Sequence, residues 1–120
     1  MLTTRFTELV GCAVPIQSAG MASIASPALA AAVSEAGGLG MLGGALGGLT
    51  PAVLTDRLEQ VRARTTRPFG VNFLASPAHL QAMDRRCFEL AAQAARVVEF
   101  FYGAPDPALV EIIHAGGIGT

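Results

Sequence analysis

The sequence predicts an α/β fold, about the first four units of a (β/α)8 barrel, on three observations. A triplet of capping residue, proline and alanine recurs as Ser26-Pro27-Ala28, Thr50-Pro51-Ala52, Ser76-Pro77-Ala78 and Asp106-Pro107-Ala108. A short apolar run stands before each triplet. The repeat is about thirty residues or slightly less, close to one eighth of a barrel of about 250 residues.

Each triplet announces a helix start. Ser, Thr and Asp side chains accept from the free N–H groups of a first helical turn. Proline suits the first helical position, where its missing N–H would have no partner. The apolar runs at 14–19, 39–43, 69–74 and 97–102 read as strands buried on both faces. In the second helix Leu54, Leu58 and Val61 recur at helical spacing, which turns Asp56, Arg57, Glu59 and Arg62 to water. Gly37 and Gly116 stand where left-handed caps end the first and fourth helices, and a fifth strand is expected from Ile118. Strand–helix alternation of this kind gives a parallel sheet with right-handed crossovers. An open doubly wound sheet is the other architecture it allows; the repeat length favours the barrel. Residues 1–120 are then one truncated domain, half a barrel.

Hydrophobic residues make up 52% of the chain and charged residues 14%, which excludes a disordered chain. So lean a charged surface also implies apolar faces that more protein covers. The net charge is −1, and all eight basic residues are Arg, dispersed without a stripe, so nucleic acid is not an expected partner. Cys12 and Cys87 have neither metal-ligand spacing nor the number for a disulfide framework, and read as idle thiols. No charge occurs between Glu8 and Glu35, but Pro15, Gln17, Ser18, Ser23, Ser26 and Pro27 interrupt that stretch. Arg5 and Glu8 precede any apolar core, unlike a secretory signal. A soluble, cytoplasmic protein without a membrane segment is expected.

Gly38-Leu39-Gly40-Met41-Leu42-Gly43 matches G-x-G-x-x-G, yet it follows a helix and enters a strand, the inverse of a dinucleotide fingerprint. It reads as a tight turn into a closely packed strand. Ser18-Ala19-Gly20-Met21-Ala22 follows the first predicted strand, at the end where parallel α/β proteins place their sites. Small residues there let the backbone approach a flat ligand, and a methionine thioether packs well on an aromatic ring; an ordinary loop is the plainer reading. Asn72 interrupts Phe69-Gly70-Val71-Asn72-Phe73, and its amide needs either a neighbouring strand or a ligand. His79 and His114 lie on helices, away from strand ends, and read as surface residues. Glu99, a carboxylate in an apolar run, is expected to pair with Arg67 or Arg96 at the outer or lower side.

Arg5-Phe6-Thr7-Glu8-Leu9, Pro15-Ile16-Gln17, Ala19-Gly20-Met21, the run from Leu29 to Gly40, and Arg67-Pro68-Phe69-Gly70-Val71-Asn72 occur in order. Together they resemble the N-terminal half of the nitronate monooxygenases, formerly 2-nitropropane dioxygenases, and flavin-dependent enoyl reductases of fatty-acid synthesis share much of the pattern. The resemblance implies a TIM-type barrel carrying FMN without a covalent link and oxidising alkyl nitronates with O2. Ala19, Gly20, Met21 and Asn72 match positions that touch the flavin. Leu74 stands where some members carry a flavin-contacting hydroxyl. The family's catalytic His and phosphate loops match nothing up to Thr120, so no catalytic residue and no metal site is assigned, and the chain alone is expected to be inactive. Enoyl reduction, or a non-catalytic half-barrel remnant, are the alternatives; a homo-oligomer is possible for a half-barrel with open edges.

Overall fold

The computed structural model describes residues 2–44 and 48–116. Six helices and three strands follow in the order α1 (Arg5–Val10), α2 (Pro27–Glu35), β1 (Gly40–Gly43), α3 (Pro51–Arg64), β2 (Phe69–Leu74), α4 (Pro77–Ala82), α5 (Arg85–Ala94), β3 (Val97–Phe101) and α6 (Pro107–Ala115). The three strands form one parallel sheet in sequential order, with Gly43 opposite Asn72 and Asn72 opposite Glu99.

Three of the four triplets cap as the chemistry requires. Ser26 accepts from Leu29 N–H, Thr50 from Val53 N–H and Asp106 from Leu109 N–H. Ser76 does not cap, because its Oγ lies 2.5 Å from His79 Nδ1 instead. The helix it opens is short. The chain leaves helical geometry at Met83, and Asp84 starts α5 by accepting from Arg86 N–H. The single third helix expected from sequence is therefore two. The N-terminal helix α1 was not signalled by a triplet: Thr4 and Thr7 form a reciprocal capping box, and Gly11 at φ 77° ends it.

The expected first strand, 14–19, is the largest departure. It runs parallel beside β1 but joins it only through one bridge, Gln17 to Leu39. Leu39 N–H donates to Ile16 O and Ser18 N–H to Leu39 O, but the next rung is a side chain: Ser18 Oγ accepts from Met41 N–H at 2.9 Å. The hydroxyl replaces a backbone carbonyl and the ladder stops. Gly37 has the expected positive φ, 103°, whereas Gly116 is right-handed at φ −64°. The start of a fifth strand at Ile118 lies outside the described residues.

Leu42, Phe69, Val71 and Phe73 pack under α2, α3, α5 and α6 in the main core with Ala30, Leu54, Val61, Cys87 and Phe88. Phe73 and Phe88 meet edge to face at 4.9 Å. Gly40 is required here, since a Cβ would lie 1.8 Å from Ala30 O. Buried Ser34 ties α2 to the sheet, donating to Pro68 O and accepting from Gly40 N–H. Arg57 corrects the water-facing assignment: it turns inward toward Ala25 O and Gly43 O, and burial lowers its pKa. The opposite face of the sheet holds a small cluster of Val10, Leu39 and Met41 beneath α1. Both cysteines are free, and burial raises the Cys87 thiol pKa. Among the described residues, no helix is long and apolar enough to cross a membrane.

Candidate functional site

In a parallel α/β sheet, the C-terminal strand ends and the loops after them form the concave end of the structure. Here a cavity of about 530 Å³ opens at that end, lined by Gln17, Ser18, Ala19, Gly20, Asn72, Glu99, Phe100 and Phe101. That volume lies within the range of small-molecule sites.

The strand register builds its floor. Asn72 and Glu99 are opposite one another on β2 and β3, on the face opposite to α2, α3, α5 and α6. Asn72 is 2% exposed, and its Nδ2 donates to Glu99 Oε1 at 2.6 Å. Gln17, from the first loop, donates from Nε2 to Glu99 Oε2. Glu99 thus pairs with two amides, not with Arg67 or Arg96. Arg96 instead donates to Leu9 O, and Arg67 stays exposed.

The first loop presses down on this cluster. A Cβ at residue 20 would lie 2.3 Å from Asn72 Cβ, so only Gly20 permits the approach. Beyond it Ala22 takes a left-handed φ of 48°, which costs an alanine on the order of 1–3 kcal/mol unless packing enforces it. The enforcing contact is at β1, where a Cβ on Gly43 would meet Ala22 O at 1.9 Å. At the end of β3, Tyr102 is left-handed too, at φ 62°.

Of the four residues read as ligand contacts, the structure brings Ala19, Gly20 and Asn72 to the cavity. Met21 is 42% exposed and outside the lining. The sequence reading missed Gln17, Glu99 and Phe101 as lining residues. A signal existed: Gln17, Asn72 and Glu99 are each a polar residue inside an apolar run. His79 and His114 are exposed and outside this lining, and among the described residues no cluster suits a metal ion.

The lining fits a flat, nitrogen-rich ring system. Its wall of Ser18, Ala19 and Gly20 is small enough for close backbone approach, and Phe101 offers aromatic surface. Among the described residues no cationic side chain lines it, so a phosphate finds no charge partner there.

Comparison with known proteins now becomes decisive. The nitronate monooxygenase family model matches residues 3–118. The chain belongs to the nitronate monooxygenase family. It is 45% identical over 71 residues to a nitronate monooxygenase of Pseudomonas aeruginosa, a stretch covering 59% of this chain and 20% of that protein. It is 34% identical over 117 residues to a (3aS,4S,5R,7aS)-5-hydroxy-7a-methyl-1-oxo-octahydro-1H-indene-4-carboxyl-CoA dehydrogenase of Rhodococcus jostii, covering 98% of this chain and 31% of that one. Among solved structures it is similar to the FabK M276A mutant from Thermotoga maritima, with a TM-score of 0.78 and 34% identity over 98% of this chain and 38% of that one. It is also similar to a nitroalkane oxidase from Streptomyces ansochromogenes, at a TM-score of 0.69 and 29% identity, over 95% of this chain and 40% of that one. The chain thus spans about a third of the length of the relatives matched along nearly all of it. The three-stranded sheet with its outer helices is consistent with part of a barrel.

Proposed function

We propose that this chain forms the N-terminal part of the barrel of an FMN-dependent oxidoreductase that oxidises alkyl nitronates with O2. The observation that carries the reading is the cavity at the strand ends, where Ala19, Gly20 and Asn72 converge, in a chain of the nitronate monooxygenase family. FMN, when bound, supplies two-electron redox chemistry. The residues of this chain would hold and orient it: the 18–20 backbone lies close enough to face a ring, Asn72 offers one fixed amide, and Phe101 offers aromatic surface. The phosphate and the proton-transferring group are assigned to the remaining part of the barrel, because the lining offers no cation and no histidine. The 120-residue chain alone is accordingly expected to be inactive.

A second reading keeps the flavin and changes the substrate to a thioester, as in enoyl reduction. It is favoured by the relatives matched along 97–98% of the chain, which are named dehydrogenases of a carboxyl-CoA compound. One experiment separates the readings. The intact protein is purified, its flavin absorption recorded, and O2 consumption followed with an alkyl nitronate beside reduction of an enoyl-CoA with a reduced nicotinamide as the hydride donor. Flavin with rapid nitronate oxidation supports the first reading, and flavin with thioester turnover alone supports the second. A colourless protein that takes up no FMN would sink both and leave a half-barrel without a cofactor.

A further inference from the structure

We propose that Glu99 is a positioning residue for the cofactor: it fixes the Asn72 amide so that the site presents a carbonyl oxygen, not an N–H, to the flavin. The inference rests on the flavin reading above. An ionised carboxylate can only accept hydrogen bonds. Glu99 faces Asn72 across the β2–β3 register and takes Nδ2 at 2.6 Å on Oε1, while Gln17 Nε2 occupies Oε2. With Nδ2 committed, Oδ1 must turn the other way, toward the first loop. Gly20 packs against this side of the amide, where a Cβ would lie 2.8 Å from Oδ1. Among the described residues no hydrogen bond reaches Oδ1, this oxygen is not among the fully buried partnerless polar atoms, and Asn72 lines the cavity. The free acceptor therefore selects a donor on the ligand, and an N–H in the plane of a flat heterocycle is the group that fits. Asn72 is 2% exposed, so an amide turned the wrong way would bury two mismatched groups, and the carboxylate prevents it.

The test uses the intact flavoprotein with Glu99→Gln, Glu99→Leu, Asn72→Ala, Gln17→Ala and the Glu99→Leu/Asn72→Ala double variant. FMN dissociation constants come from flavin fluorescence quenching, and the visible bands of the bound flavin are recorded beside them. Glu99→Gln frees the amide to face either way and is expected to weaken FMN about two- to fivefold, whereas Glu99→Leu leaves Nδ2 without an acceptor and weakens it about tenfold. The visible bands shift in the same order. In the Asn72→Ala background, Glu99→Leu adds less than about twofold, as a residue acting through another should. Gln17→Ala, which leaves the Asn72–Glu99 bond in place, costs less than about threefold. Equal effects of Gln and Leu would show that the charge of Glu99 matters and the amide does not, which overturns the proposal. So would a Glu99→Leu loss that persists in full without Asn72. A wild-type protein that binds no FMN would overturn the flavin reading itself. Should Glu99→Leu fail to fold, the Asn72 side-chain N–H resonances of the wild-type apoprotein decide: they should hardly move when FMN is added, and a large shift would place Nδ2, not Oδ1, on the ligand.

Discussion

The first and third βα units begin from similar sequence, an apolar run followed by Ser-Pro-Ala, and the structure treats them differently. In the third unit the run becomes β2, paired on both sides and buried through Phe73. In the first, residues 14–19 lie at the edge with one bridge, and Ile16 is 63% exposed. The helices reverse the order: Ser26 caps a continuous α2, whereas Ser76 leaves α4 uncapped and the third unit needs a second start at Asp84. Apolar runs thus report that a strand is wanted, while neighbours on both edges decide whether it forms. A capping residue reports a helix start, while the nearest competing polar group decides whether the cap closes.

The sharpest way to break this comparison is a pair of truncations. Phe73→Ala removes the centre of the aromatic cluster with Phe88 and Phe100 and is expected to cost about 3–5 kcal/mol of stability. Ile16→Ala in the 120-residue chain should stay within about 0.5 kcal/mol, as exposed substitutions do. Urea midpoints of the two variants measure the difference. In a longer protein that covers the free edge, the Ile16→Ala cost should rise, and equal values in both proteins would argue that nothing seats against residue 16.

Ser18→Ala comes next. It leaves Met41 N–H, buried in the sheet, without its acceptor, for a cost of about 1–3 kcal/mol. Hydrogen exchange at Met41 is the direct readout: it should quicken selectively while the β2 amides stay protected. Uniform loss of protection would mean that the hydroxyl holds the whole sheet and not one rung.

On the inner face, Asn72→Ala is expected to weaken FMN retention in the intact protein by about 0.5–1.5 kcal/mol, one hydrogen bond's net worth, and somewhat more because Glu99 loses its donor. Fluorescence titration checks it, and unchanged affinity would remove Asn72 from the ligand. This residue also marks how far the sequence could be read. The helix starts at the four triplets and the parallel strands at 40–43, 69–74 and 97–101 were legible because each rests on local chemistry, and Ala19, Gly20 and Asn72 fall on the cavity. The Gln17–Asn72–Glu99 cluster was not read, although all three polar residues were visible, because its members lie up to 82 positions apart. Only the parallel register brings them to one layer. Met21 belongs to the same motif as Ala19 and Gly20, but the left-handed turn at Ala22 follows it, and its side chain stays exposed outside the cavity lining.

The smallest effect separates the two serines. Ser26 Oγ accepts from Leu29 N–H at 3.2 Å, so Ser26→Ala should cost about 1 kcal/mol, the usual value of a closed cap. Ser76 makes no such bond, and its Oγ contacts exposed His79, so Ser76→Ala should cost no more than a few tenths of a kcal/mol. The two triplets read identically as Ser-Pro-Ala, which makes the pair a clean control: helix propensity, proline and alanine are held constant and only the cap differs. Thermal midpoints of the two variants in the same protein give the answer. If both serines cost the same, the His79 contact does not compete with the cap in solution, and the break between α4 and α5 must come from Met83 and Asp84 alone. If only Ser26 matters, a histidine three residues into a helix is enough to take the hydroxyl from its cap, and His79→Ala should restore the bond to the α4 backbone and stabilise the third unit by a similar few tenths.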